Sequence, residues 1–188
     1  MGKIVVSEFV TLDGVMEAPG GEEHPDGKGG WTMRFFDAEA GAFKGEELQA
    51  ADAFLLGRIT YQHFAAAWPS RTDDNGFADR MNSLPKVVAS TTLKEPLEWN
   101  ATLLAGDLAD GARALKSQYE RDILVYGSAD LVGALVEHGL VDEYRLMVFP
   151  LILGSGKRLF PDGVGVTDLT LVDAKTTSNG IAILTYRA

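Results

Sequence analysis

Three short stretches place small side chains and hydroxyls where an apolar run stops. They are Gly57-Arg58-Ile59-Thr60 after "AFLL", Ser90-Thr91 after "KVVA", and Gly127-Ser128-Ala129-Asp130-Leu131 after "ILVY". The chemistry they suit is anion binding. Unpaired N–H groups at a helix start attract phosphate, and small side chains let it reach the backbone. Arg58 adds a permanent charge with a bidentate fork. A second set could serve a substrate. Asp13 in "TLDG" and Asp37, with Glu39, in "FFDAEAG" are candidates for moving a proton. Trp31, Phe35 and Phe36 could wall a slot for a flat ring. Each feature also has a structural reading. A tight turn alone suits a glycine at a strand end, Ser128 suits an N-cap, and Arg58 suits solvent. Asp13 suits an Asp-Gly turn, the aromatic residues suit helix-to-sheet packing, and an early helical carboxylate suits the dipole.

These residues need elements to bring them together. "KIVVSEFVT" (3–11), "AFLLG" (53–57), "KVVAS" (86–90), "TLLA" (102–105) and 123–126 read as strands, being β-branched and apolar. Residues 36–51, 59–68, 108–120 and 129–138 read as helices, with Pro69 stopping the second and Gly139 ending the last. "EYRLMVFPLIL" (143–153) reads as a long strand bent or set at an edge by Pro150, and 168–177 and 180–187 as a hairpin through Ser178-Asn179. Residues 12–30, rich in Gly, Pro, Asp and Glu, form a long loop. Strand and helix alternate and then give way to strands. This predicts one α/β domain over 1–188, with a mostly parallel mixed sheet between two helical layers and a C-terminal antiparallel hairpin. In such a sheet ligands bind beyond the carboxyl ends of the strands, where all three turns would lie.

Composition narrows the function further. A formal net charge of −10 disfavours nucleic-acid and anionic-membrane surfaces. No apolar run approaches the ~18–20 residues of a membrane span, and "MGKIVVSEFV" lacks the features of a signal peptide. With 0 cysteines and 3 dispersed histidines (His24, His63, His138), neither disulfides nor a transition-metal site are expected. A cytoplasmic location is the default expectation.

The ordered set "TLDG" (11–14), "LLGRITY" (55–61), "KVVAST" (86–91), "VYGSADL" (125–131) and "GLVDEYRLMVFPLILGSGKRLFP" (139–161) resembles the dihydrofolate reductase superfamily. The similarity is greatest to the branch containing the reductase domain of the riboflavin-biosynthesis deaminase–reductase and its stand-alone relatives. The resemblance covers almost the whole chain. It implies a three-layer α/β/α fold, NADPH at the strand ends, a small heterocyclic substrate and a homodimer through the later strands. On that pattern Gly57, Arg58 and Thr60 meet the adenine-side phosphates, with Arg58 near the 2′-phosphate. Ser90 and Thr91 form the strand-end Ser-Thr. Gly127, Ser128 and Ala129, followed by Asp130 and Leu131, lie under the pyrophosphate.

The substrate half departs from the family. Tyr126-Gly127-Ser128 stands where the riboflavin-pathway reductase reads Glu-Gly-Gly, Val15 stands where it carries lysine, and neither Asp37 nor Glu39 sits in a folate pattern. A nucleotide-binding protein that keeps the fold without reducing anything is therefore the alternative expectation. Two motifs are decoys. "LGSGKRL" lacks the first glycine and final Ser/Thr of a phosphate-binding loop, and "GVGVTD" lacks the third glycine of a dinucleotide fingerprint. "GxSxG" does not occur.

Overall fold

A computed structural model of the chain describes residues 1–21 and 27–188. Strands β1 (Lys3–Thr11), β2 (Ala51–Gly57), β3 (Lys86–Ala89), β4 (Ala101–Leu103), β5 (Asp122–Val125), β6 (Glu143–Phe149), β7 (Thr170–Thr176) and β8 (Ala182–Arg187) form one sheet in the order β4-β3-β2-β5-β1-β6-β8-β7. β1 to β6 are mutually parallel, and β8 pairs antiparallel with β6 and β7. The expected parallel sheet with an antiparallel C-terminal edge is therefore the observed one.

The helices are α1 (Ala38–Ala50), α2 (Arg58–Ala67), α3 (Phe77–Ser83), α4 (Leu108–Gln118) and α5 (Ala129–Glu137). Ala112 and Leu115 of α4 and Leu131, Val132 and Leu135 of α5 pack with Ile4, Val6, Ile123 and Val125 on one sheet face. Leu48 of α1, Tyr61 of α2 and Met81 of α3 pack with Val5, Phe54, Leu124 and Tyr126 on the other. Alternate residues of β1 and β5 thus serve opposite layers, as the strand period requires.

Two expectations change. β6 ends at Phe149 and does not continue to 153, because Pro150 has no N–H to extend the ladder. α3 has no counterpart in the sequence reading. At seven residues it is too short to display a period, and the side chains of Asp73 and Asn75 start it by accepting from the Phe77 N–H. The described part of the 12–30 loop is tied down. Val15 bridges to Arg158, Met16 donates to the Lys157 carbonyl, and Lys28 reaches Ser155. The rest of that loop, with His24, lies outside the described residues.

The connections after β1 and β5 leave towards opposite faces, α1 to one and α5 to the other. β5 pairs with β1 only from Lys3 to Val6, whereas β6 follows β1 as far as Thr11. Beyond Val6, β1 therefore has an open edge at a topological switch point, the place where open α/β sheets bind ligands.

Candidate functional site

A cleft of about 2040 Å³ opens at this edge. Single drug-sized ligands occupy roughly 300–1,000 Å³, so a dinucleotide and a small substrate fit together. All ten residues expected to bind the cofactor line it: Gly57, Arg58, Thr60, Ser90, Thr91, Gly127, Ser128, Ala129, Asp130 and Leu131.

The turns after β2 and β5 interlock. Ser128 Oγ accepts from the Gly57 N–H at 2.8 Å and donates to Thr60 Oγ1 at 2.8 Å. A Cβ on Gly57 would stand 2.8 Å from Ser128 Oγ, so glycine is required by this contact. Gly127 and Ser128 both have positive φ, 64° and 69°. For serine that conformation costs about 1–3 kcal/mol and is tolerated where the surroundings fix it. Small residues at these turns thus have an internal reason as well as a ligand-side one.

The same bonds keep Ser128 from capping α5. Neither α2 nor α5 has a side-chain cap, whereas α1 is capped by Asp37 and α4 by Asp107. Both uncapped N-termini lie in the cleft and leave their first N–H groups without a side-chain acceptor. Arg58 is exposed beside them, 3.3 Å from Gln62 Oε1. Lys157, also in the cleft, lies 3.4 Å from Asp130 and offsets its charge. Ser90 Oγ accepts from the N–H groups of Thr92 and Leu93 and shapes its own turn, while Thr91 is exposed. This donor set, uncapped amides, hydroxyls and an exposed guanidinium, fits a phosphorylated dinucleotide.

The predicted substrate residues separate. Phe36 lines the cleft, 40% exposed, with its ring edge on Phe9. Trp31 is buried, donates to the Glu17 carbonyl and packs on Phe149, as does Phe35. Asp13 accepts from the Thr11 hydroxyl and the N–H groups of Leu153 and Gly154. The Thr11 bond, chiefly, holds its carboxyl down at about 2. Asp37 caps α1 and accepts from Asn179, and Glu39 accepts from Ser178, so both tie α1 to the β7–β8 turn. Trp31, Phe35, Asp13 and Asp37 are outside the cleft lining; their polar atoms hold loops.

Other residues take that place. Met33 (73% exposed) and Ile59 (50%) join Phe36 as apolar walls in the same cleft. Large exposed apolar side chains gathered in a concavity mark a binding surface. Glu8, Lys44 and Tyr126 also line it. Lys44 Nζ bonds Ser7 Oγ at 2.8 Å and Glu47 Oε1 at 2.6 Å and lies 3.7 Å above the Tyr126 ring, whose hydroxyl also donates to Glu47. Arg145 lies 3.6 Å from Glu47 Oε2, too far for a hydrogen bond, and pairs closely with Asp122 and Glu143. Burial lowers Lys44 and raises Tyr126 well above its ordinary range. Glu8 is not among the expected site residues; its signal in the sequence is a carboxylate inside the otherwise apolar run "KIVVSEFVT".

The chain matches the model of the RibD C-terminal domain over residues 2–183 and belongs to that family. Among Bacillus subtilis proteins it is similar to the uncharacterized YyaP, at 29% identity over 98% of this chain and 94% of that protein. It is also similar to the uncharacterized YwjB, at 26% identity over 99% and 98%. A solved protein of Shewanella sp. PV-4 shares the fold with a TM-score of 0.71 at 19% identity, covering 98% of each chain. A diaminohydroxyphosphoribosylaminopyrimidine deaminase/5-amino-6-(5-phosphoribosylamino)uracil reductase of Thermotoga maritima gives 0.65 at 15% identity, over 99% of this chain and 56% of that one. The fold is the dihydrofolate-reductase-like α/β/α architecture.

Proposed function

We propose that the protein is an NADPH-dependent reductase acting on a small heterocycle, pterin-like or ribosylamino-pyrimidine-like as in riboflavin biosynthesis. The observation that carries this reading is the pair of uncapped helix N-termini, α2 and α5, opening with Arg58 on one cleft. NADPH would supply a hydride. The N–H groups that begin α2 and α5 would hold its phosphates, and Arg58 would fork the 2′-phosphate. Ser90 and Thr91 would add hydroxyl contacts. Met33, Phe36 and Ile59 would exclude water beside a flat ring.

Titration with NADPH and NADH, followed by nicotinamide fluorescence and melting temperature, tests this. The expected result is micromolar NADPH binding with NADH clearly weaker. Arg58→Ala should weaken NADPH far more than NADH, since only NADPH carries the 2′-phosphate. Equal loss for both removes Arg58 from that role, and no binding of either ends the reductase reading.

A nucleotide-binding protein without reductase activity is the second reading. It is favoured by Tyr126, which stands at the family's glutamate position and is fully engaged by Glu47. Cofactor binding with no oxidation across pterin and pyrimidine substrates would select it. Either way we place the protein in the cytoplasm as a homodimer. Exposed Leu171 and Val172 on the outermost strand β7, with Leu169 beside them, support a second copy as the partner.

A further inference from the structure

Glu8 lies on β1 just past the point where β5 leaves the sheet. It is 5% exposed, it lines the cleft, and its Oε1 has no hydrogen-bond partner among the described residues. The Gly127 N–H faces the carboxyl. The neighbouring cation does not satisfy it, because the hydrogen bonds of Lys44 go to Ser7 and Glu47. Glu47 Oε2 also lacks a hydrogen bond, but Glu47 and Glu143 have cationic partners in Lys44 and Arg145 and neither lines the cleft. An unpaired buried polar atom costs about 1–3 kcal/mol, so an acceptor or donor left open inside a cleft points to a ligand. Phe9, Met16, Met33 and Phe36 line the same cleft and give it apolar walls.

We propose that Glu8 is the substrate-binding acid of the cleft, working as a neutral carboxyl that pairs in two-point fashion with adjacent N–H and C=O groups of a neutral, planar heterocycle. A protonated carboxyl offers one donor and one acceptor side by side, which is the complement of a lactam or imide edge. Burial, first, raises this group to about 8, so it holds its proton at neutral pH. The charged and titratable groups around it are Lys44 and Glu47 from α1 and Tyr126 after β5. The Gly127 N–H, and then Lys44, favour ionisation, and Glu47 opposes it, but burial outweighs them. Beside Lys44, a ring that arrives as a cation is disfavoured. This inference deepens the substrate half of the proposed reductase but does not depend on cofactor binding.

The test is ligand-observed NMR titration of 5,6-diaminouracil and its 1,3-dimethyl derivative, with and without NADP⁺, at pH 6.5 to 8.5. The wild type should bind 5,6-diaminouracil and reject the dimethyl compound, which lacks the ring N–H. Affinity should fall about fourfold from pH 6.5 to 8.5, as the carboxyl ionises near 8. Glu8→Gln, which keeps a donor and an acceptor, should bind within a few-fold of wild type with no pH dependence. Glu8→Ala should lose at least tenfold while circular dichroism shows it folded. Infrared difference spectra between wild type and Glu8→Gln should contain a protonated-carboxyl C=O band at pH 7. Three results would each overturn the proposal. They are wild-type affinity retained in Glu8→Ala, no binding of 5,6-diaminouracil, or no such infrared band. If NADPH fails to bind while Glu8-dependent binding persists, the reductase reading falls and this one stands.

Discussion

Glu8 and Asp13 sit five positions apart on one strand and its turn, yet their environments push their carboxyls in opposite directions. Burial holds Glu8 near 8, and hydrogen bonds hold Asp13 near 2. For Glu8 the folded value lies above the ordinary glutamate value of 4.5. Its contribution to stability is therefore fully present below about 4.5 and is lost as pH rises through about 8. The loss is on the order of a few kcal/mol. Burial holds Lys86 near 8 as well, with the opposite effect, since depressing a lysine makes stability grow as pH climbs towards 10.5. Urea unfolding of wild type against Glu8→Gln from pH 5 to 9 isolates Glu8. The variant should gain relative stability steadily as pH rises, and parallel curves would mean that Glu8 stays ionised. Asp13→Ala should lower the melting temperature, at a cost of about 1–3 kcal/mol, because the Leu153 and Gly154 amides lose their acceptor. Cofactor binding should persist, since Asp13 does not touch the cleft.

Among the elements, the contact between the β2–α2 and β5–α5 turns decides the geometry of the candidate phosphate site. Gly57→Ala should destabilise the fold, because its Cβ would meet Ser128 Oγ at 2.8 Å and Ser128 Cβ at 2.9 Å. Adding Ser128→Gly removes both atoms and relieves a positive φ. In a double-mutant cycle read by chemical denaturation, the second substitution should recover part of the loss, and additive effects would disprove the steric interlock. The sequence displayed these elements well where a period or a stop residue was present. Pro150 marked a bend or an edge but not that β6 stops before it, whereas the small residues after β2 and β5 announced the strand-to-helix turns. It did not display α3, which rests on the Asp73 and Asn75 side chains and on burial of Met81.

For the whole molecule, β7 ends the sheet with every residue exposed, including Leu171 and Val172. An open edge with apolar side chains invites pairing. Light scattering should find a dimer, and Leu171→Lys with Val172→Lys should shift it to monomer while leaving NADPH affinity unchanged. A wild-type monomer would leave this edge without a second copy.

The fold class, the switch from alternating elements to strands, and the gathering of the strand-end turns along one cleft were legible in the sequence. They depend on local patterns: β-branched runs, stop residues and small side chains at strand ends. The substrate half was not legible, because it depends on which neighbours happen to share a burial site. Asp13, Asp37 and Trp31 looked chemical, but their polar atoms are spent on loops and caps. Glu8 looked like one charge in a strand. The early departure of β5, the engagement of Lys44 by Glu47 and the apolar walls from distant segments leave its Oε1 buried in the cleft without a hydrogen-bond partner among the described residues. Local sequence sets what a residue can do, while desolvation and partner geometry, which belong to the tertiary structure, set what it does.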